Sequence, residues 1–353
     1  MATIDPSAIA SAADIPPAGS LYQGATGQGL VDVYCGTVAG DIDAVPAAQE
    51  LLATAADTGG LANADYVYSQ LARLYGADLP ALASPSGASV KCLVFVSGSA
   101  NGGYGAFHFP GAQTDFDKIV VDSLTASGGY SPGGLAAAPQ PAPAAAAAFA
   151  QPRLFQPQWA AAAFAAAAPG GRQYLSTALF AAEAIECFEQ LTGKADAGHT
   201  DGEAVSRVLA FKLCPEIMLV AGFNGGVTQQ WWQDGHPDWV NDNSQTDQST
   251  DGNAAGVMFL LFLNDYLGVP IQTILAQMPA SGGAPLGQTY AALLNVLPAL
   301  AQTAGADGPA AFQAMITQLT QNAQAADGTL TLPADGNPFP SMPGAQQGGL
   351  FAA

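Results

Sequence analysis

The residues of this chain whose types and spacing suit chemistry are carboxylates at helical intervals. Glu183 and Glu186 stand in FAAEAIECFEQLTG, and Glu203 follows in HTDGEAVSRVLA. Residues three apart on an α-helix share a face, so Glu183 and Glu186 point the same way. Oxygen ligands placed like this suit a hard cation such as calcium or magnesium, with Glu203 as a third donor. The same residues also suit a plainer role, as a solvated helix face with Asp201 and Glu203 complementing the dipole of the next helix. His108, His199 and His236 lie far apart in the chain, and each reads as an ordinary loop or strand histidine. A pocket joining His108 with Glu183 and Glu203 is the arrangement that would make this region catalytic. No GxGxxG or GxxxxGK[ST] segment offers a nucleotide-binding loop as a competing site.

A second group of oxygen side chains runs from Asp234 to Asn253. Counted from Asp247, Asp251 and Gly252 fall at the fifth and sixth places of a calcium loop, but Ser249 and Met258 stand where the third and last ligands belong. The stretch is therefore no EF-hand. A looser calcium site through Asp247 and Asp251 is one reading, and a polar turn that caps the following helix is the other. Beside it, Trp231, Trp232 and Trp239 with Asp234 suit stacking on a glycan or a corner of the core. Adjacent tryptophans on one regular element point in different directions, which leaves room for one at an exposed interface, but a core corner is the preferred reading.

The elements that must position these residues are legible in outline. Short strands are expected at Leu30–Tyr34, Ser89–Ser97 and Lys118–Leu124, with an aromatic strand around GAFHFPG. Apolar residues at helical spacing run from Ala47 to Leu74 across a Gly59-Gly60 break. Further helices are expected at Trp159–Ala168, Tyr174–Gln190, Asp201–Leu213, Ala254–Leu267, Ile271–Met278, Gln288–Leu297 and Ala310–Ala325. The fold class is thus α+β, with a smaller strand-containing first half and a mainly helical second half. The expected organisation is a strand-containing region at 1–130, a Pro/Ala-rich linker at 131–157, a mainly helical domain at 158–330 and an irregular tail at 331–353.

Composition narrows the function. A formal charge of −20, with 8 basic residues against 28 acidic ones, leaves too little positive charge to neutralise phosphates. That disfavours nucleic acid and anionic membrane surfaces as partners. The amino-terminal residues lack the basic and apolar runs of a secretory signal, and no apolar run is long enough to span a membrane. Four cysteines, none closely spaced, suit buried thiols or a single disulfide rather than a zinc knuckle. The weakly charged, Ala- and Gly-rich surface with few lysines and arginines points to an extracellular or cell-surface setting, reached without a recognisable signal; a cytoplasmic one is the alternative.

Zinc peptidases of the gluzincin type carry His-Glu-x-x-His on one helix and a third ligand on a later one. Ala182-Glu183-Ala184-Ile185-Glu186 resembles that segment with both histidines replaced, and Glu203 stands in the place of the third ligand. Gly202-Glu203, Asp238-Trp239-Val240-Asn241 and Phe262-Leu263 through Leu267 extend the resemblance to uncharacterised bacterial proteins distantly similar to gluzincins, over roughly residues 175–300. The resemblance implies a zincin-like helical second half whose metal site is degenerate, since alanine offers no ligand. The leading expectation is a non-catalytic structural or binding protein that requires no cofactor and engages copies of itself or a surface partner. A metal-dependent hydrolase with a carboxylate-rich site, Glu183 serving as base, is one alternative. A calcium-stabilised glycan-binding protein is the other.

Overall fold

The computed structural model of the chain describes residues 9, 11–36, 44–53, 63–97, 106–111, 115–122, 176–214, 225–244, 249–280, 283–332, 337–340, 342 and 349–351. The architecture is α+β, with strands in the first half and a mainly helical second half. The stretch 131–157, the helix expected at Trp159–Ala168 and the candidate ligand Asp247 lie outside the described residues. Two compact units make up the chain.

The first unit draws on Met1–Gln140, Phe155–Leu191 and Leu213–Ala221. Its strands are β1 (Leu21–Ala25), β2 (Val31–Cys35), β3 (Leu82–Ala83), β4 (Ser89–Val90), β5 (Cys92–Ser97), β6 (Ala106–Phe109) and β7 (Asp117–Asp122). Five of them form one sheet in the order β1-β2-β5-β7-β6. The inner pairs β2/β5 and β5/β7 are parallel, and the outer pairs β1/β2 and β6/β7 are antiparallel. Parallel strands are covered on both faces, which is why VDVYC and CLVFVS read as nearly unbroken apolar runs. Every residue of β2 and β5 is buried. Helices α1 (Ala44–Leu52), α2 (Ala64–Tyr75) and α3 (Ser176–Thr192) belong with this sheet. Asn63 caps α2 by accepting the Tyr66 N–H at 2.8 Å, and Gly76 closes it in the left-handed conformation. All four cysteines are buried and none forms a disulfide.

The second unit holds α4 (Thr200–Leu213), α5 (Gly225–Gln233), α6 (Thr250–Leu261), α7 (Ile271–Gln277), α8 (Leu286–Val296), α9 (Leu300–Ala304) and α10 (Gly308–Ala323). Glycine lets α6 approach α4 closely, because a Cβ at Gly256 would meet the Ala204 Cβ at 2.6 Å. Where a single helix is expected through Leu267, α6 instead widens into a π-helical turn at Phe262–Tyr266. That turn carries two fully buried polar side chains, and each finds partners. Asn264 donates to the Val269 carbonyl at 2.9 Å, while Asp265 accepts from Lys212 and from Asn337 at 2.7 Å. The described residues of the tail form no helix or strand, yet the Gly349 and Leu350 carbonyls accept the N–H groups of Ile271 and Gln272 at the start of α7.

Candidate metal centre

Strand β6 reads Ala106-Phe107-His108-Phe109, and side chains alternate across a strand. Phe107 and Phe109 pack against the cluster of Ile15, Tyr34, Leu93, Phe95 and Val120 on one face of the sheet. Their rings meet edge to face at 5.9 Å. His108 is thereby directed to the other face, opposite Ile119 of β7. The aromatic flanks fix the direction in which the imidazole points.

Helix α3 meets it there. The helix is buried almost all round, Ala182 included at 3% exposure. Glu183, Glu186 and Gln190 interrupt this burial, and their spacing of three and four residues makes one stripe. The His108 Nδ1 lies 2.8 Å from an Oε of Glu183 and 3.3 Å from an Oε of Glu186. Gln190 approaches the other ring nitrogen, with its Nε2 at 2.9 Å from the His108 Nε2. The side chains of His108, Glu183 and Glu186 are only 10%, 14% and 14% exposed. Among the described residues, these three are the group whose donor atoms converge, all within 4.8 Å of one another.

A buried polar layer lies next to this cluster. Asp117 accepts from the Tyr68 hydroxyl at 2.8 Å and from the Gly111 N–H at 2.7 Å. Burial raises the Asp117 carboxyl above its ordinary range, and these donors and nearby His108 offset that only in part. Burial also pushes the Cys187 and Cys92 thiols well up, with Asp117 adding to the effect. Through Gly111, Asp117 also ties down the segment that follows β6. A Cβ at Gly111 would meet the backbone of Phe116 at 2.6 Å and that of Asp117 at 2.7 Å, so only glycine fits there.

The other candidates have different surroundings. Glu203 lies in the second unit, where Arg207 donates to it at 2.9 Å and the Gly198 N–H approaches at 3.3 Å. Within its own unit Glu203 is a carboxylate in the first turn of α4, paired with Arg207 one turn on. Asp251 sits in the first turn of α6, which Ser249 caps through the Gly252 N–H at 3.0 Å. Burial, then the Asp234 charge, raises its carboxyl. Asp234 itself accepts from Gln230 at 2.8 Å. His199 lies 3.2 Å from Asp196, and His236 stacks on Trp232 at 4.7 Å.

Of the two readings of the adjacent tryptophans, the core corner is the one the burial matches. Trp231 is 0% exposed and Trp232 is 8% exposed. Both are buried because each indole N–H finds a backbone acceptor, Trp231 at the Pro237 carbonyl (3.0 Å) and Trp232 at the Gly328 carbonyl (2.9 Å). Trp239 is half-buried.

One imidazole and two carboxylates make a mixed nitrogen and oxygen donor set. In a tetrahedral site with bonds of about 2.1 Å, neighbouring donors stand about 3.4 Å apart. The observed 2.8 and 3.3 Å fall just inside that edge, so admitting an ion needs a spread of a few tenths of an ångström. The His/Glu/Glu set differs from the two-histidine arrangement of the gluzincins. Compared with family models, with curated proteins and with solved structures, the chain finds no match.

Proposed function

We propose that the first unit is a metal-binding, non-catalytic module that holds one divalent transition-metal ion, zinc being the natural candidate, through His108 Nδ1, Glu183 and Glu186. The observation that carries this reading is the convergence of two carboxylates on one imidazole nitrogen in a mostly buried place. Two like charges about 4 Å apart repel by about 4 kcal/mol at the effective dielectric of a protein surface. A charged imidazole leaves one negative charge over, whereas a dication with a neutral imidazole balances the set. The imidazole favours zinc over calcium, which prefers oxygen donors alone.

Glu183 is a ligand in this arrangement and so is not available as the base of a hydrolase. Ala182 is buried and offers no donor atom to the chemistry. These two points support a non-catalytic role. The specific observation in favour of a hydrolase is that three protein donors leave a fourth position for water. The weakly charged surface and scarcity of basic residues support an exposed setting, at or outside the cell, where the module would serve assembly or binding. No helix among the described residues is long and apolar enough to cross a membrane.

Elemental analysis by inductively coupled plasma mass spectrometry, on protein exchanged into chelator-free buffer with zinc, tests the reading. One zinc per chain, absent from His108→Ala, is the expected result. No zinc retained, or equal zinc in the variant, overturns it. Zinc-dependent cleavage of a fluorogenic peptide library that disappears in His108→Ala would replace the non-catalytic role with the hydrolase.

A further inference from the structure

Independently of the metal reading, we propose that the second unit closes a covalent bond of its own, an isopeptide amide between the side chains of Lys212 and Asn337. The buried Asp265 carboxylate carries the protons, and ammonia is released. Asp265, 0% exposed on the π-helical turn, accepts from the Lys212 amine on Oδ1 and from the Asn337 Nδ2 at 2.7 Å on Oδ2. One carboxylate thus holds a primary amine and a carboxamide side by side. The Asn337 Oδ1 in turn accepts the Phe339 N–H at 3.0 Å, a backbone donor placed where an oxyanion on that oxygen would need one. With a carboxylate at one end and a backbone N–H at the other, the partners fix which end of the amide is nitrogen.

The surroundings keep the three groups together. Lys212 belongs to the last turn of α4, Asp265 to the turn that widens α6, and Asn337 to the tail. Just beyond Asn337, Phe339 packs edge to face on Phe262 at 5.7 Å, and the Met342 N–H donates to the Tyr266 carbonyl at 3.2 Å. Groups fastened in this way react without the entropy cost of meeting. The sequence removes a competing reaction as well. An asparagine side chain is open to attack by the next backbone nitrogen, but the residue after Asn337 is Pro338, which carries no N–H.

The steps balance. Asp265 takes one proton from the Lys212 ammonium, and the freed Nζ lone pair attacks the Asn337 Cγ. Negative charge gathers on Oδ1, facing the Phe339 N–H. Asp265 passes its proton to Nδ2 and takes the second one from Nζ, and the bond from Cγ to Nδ2 breaks as the carbonyl re-forms. The departing ammonia picks up that second proton, which returns Asp265 to the carboxylate. One amide replaces another, no electrons are exchanged and no co-reactant is needed. Were Asp265 itself the acylating group, no proton carrier would remain. The product ties the tail to α4 and restricts the unfolded chain as a long-range cross-link does.

The test is intact-mass spectrometry of the purified full chain, then proteolysis and fragment sequencing, on wild type, Lys212→Arg, Asp265→Asn and Asn337→Ala. The wild type is expected to be lighter than its sequence by one ammonia and to yield one branched peptide joining Lys212 to Asn337. Lys212→Arg keeps a cation beside Asp265 but cannot give up a proton to become a nucleophile, so it is the folded control expected at full mass. The other two variants are also expected at full mass. A wild type at full mass after prolonged incubation at neutral pH overturns the proposal. Loss of ammonia without the branched peptide, or loss of water with Lys212 joined to Asp265, overturns it too. A branched peptide that persists in Asp265→Asn overturns the role given to Asp265. None of these readouts depends on zinc, so the metal reading stands or falls separately.

Discussion

At the scale of single residues, three side chains from two elements meet at the candidate site. Glu183→Gln and Glu186→Gln each remove one negative ligand and keep the shape of the side chain. Each is expected to weaken zinc binding by more than the roughly 10- to 100-fold typical of losing an outer-shell partner. Glu203→Gln is expected to leave zinc affinity unchanged, since Glu203 is engaged by Arg207 in the second unit. Competition titrations on the three variants check this, and equal losses in all three would contradict the assignment. The two glutamates were legible in the sequence because helical periodicity aligns residues three apart. A pocket of His108 with Glu183 is raised there only as an alternative, with Glu203 rather than Glu186 as the third member, because 75 positions separate His108 from Glu183 and only the docking of a strand against a helix joins them.

At the scale of elements, the site depends on β6 keeping its register and on the close passage at Gly111. Gly111→Ala forces a Cβ into the Phe116 and Asp117 backbones. Overpacking of this kind costs roughly 1–3 kcal/mol. Urea unfolding is expected to show a loss in that range, together with weaker zinc binding because β6 shifts against α3. Unchanged stability would mean that the segment relaxes freely and does not hold His108 in place. Most helices of the second half, and the strands around Val31, Cys92 and Asp117, follow from periodicity and apolar runs, as does the aromatic strand holding His108. The sheet order β1-β2-β5-β7-β6 does not, since it is a choice among pairings of similar apolar strands. The π-helical turn at Phe262–Tyr266 was hidden within an apolar helical pattern, because the partners of Asn264 and Asp265 come from Lys212 and from the distant tail.

At the scale of the whole molecule, a charge of −20 and several buried carboxyls set the response to pH. Burial raises Asp117, Asp201 and Asp251 above the ordinary value of 3.8. Between that value and each raised one, the folded chain binds more protons than the unfolded chain, so stability falls as pH rises through this window. The stability contribution is fully present below the ordinary value and is lost as pH rises through the raised ones. Thermal unfolding is expected to show a higher Tm at mildly acidic than at mildly alkaline pH, with a smaller difference in Asp117→Asn; a Tm that climbs steadily with pH would contradict it. Isothermal titration of metal-free protein with zinc chloride reads the metal site itself. One site per chain is expected in the wild type and none in His108→Ala with the fold intact by circular dichroism. Absence of binding in the wild type, or a site that survives loss of His108, would contradict it.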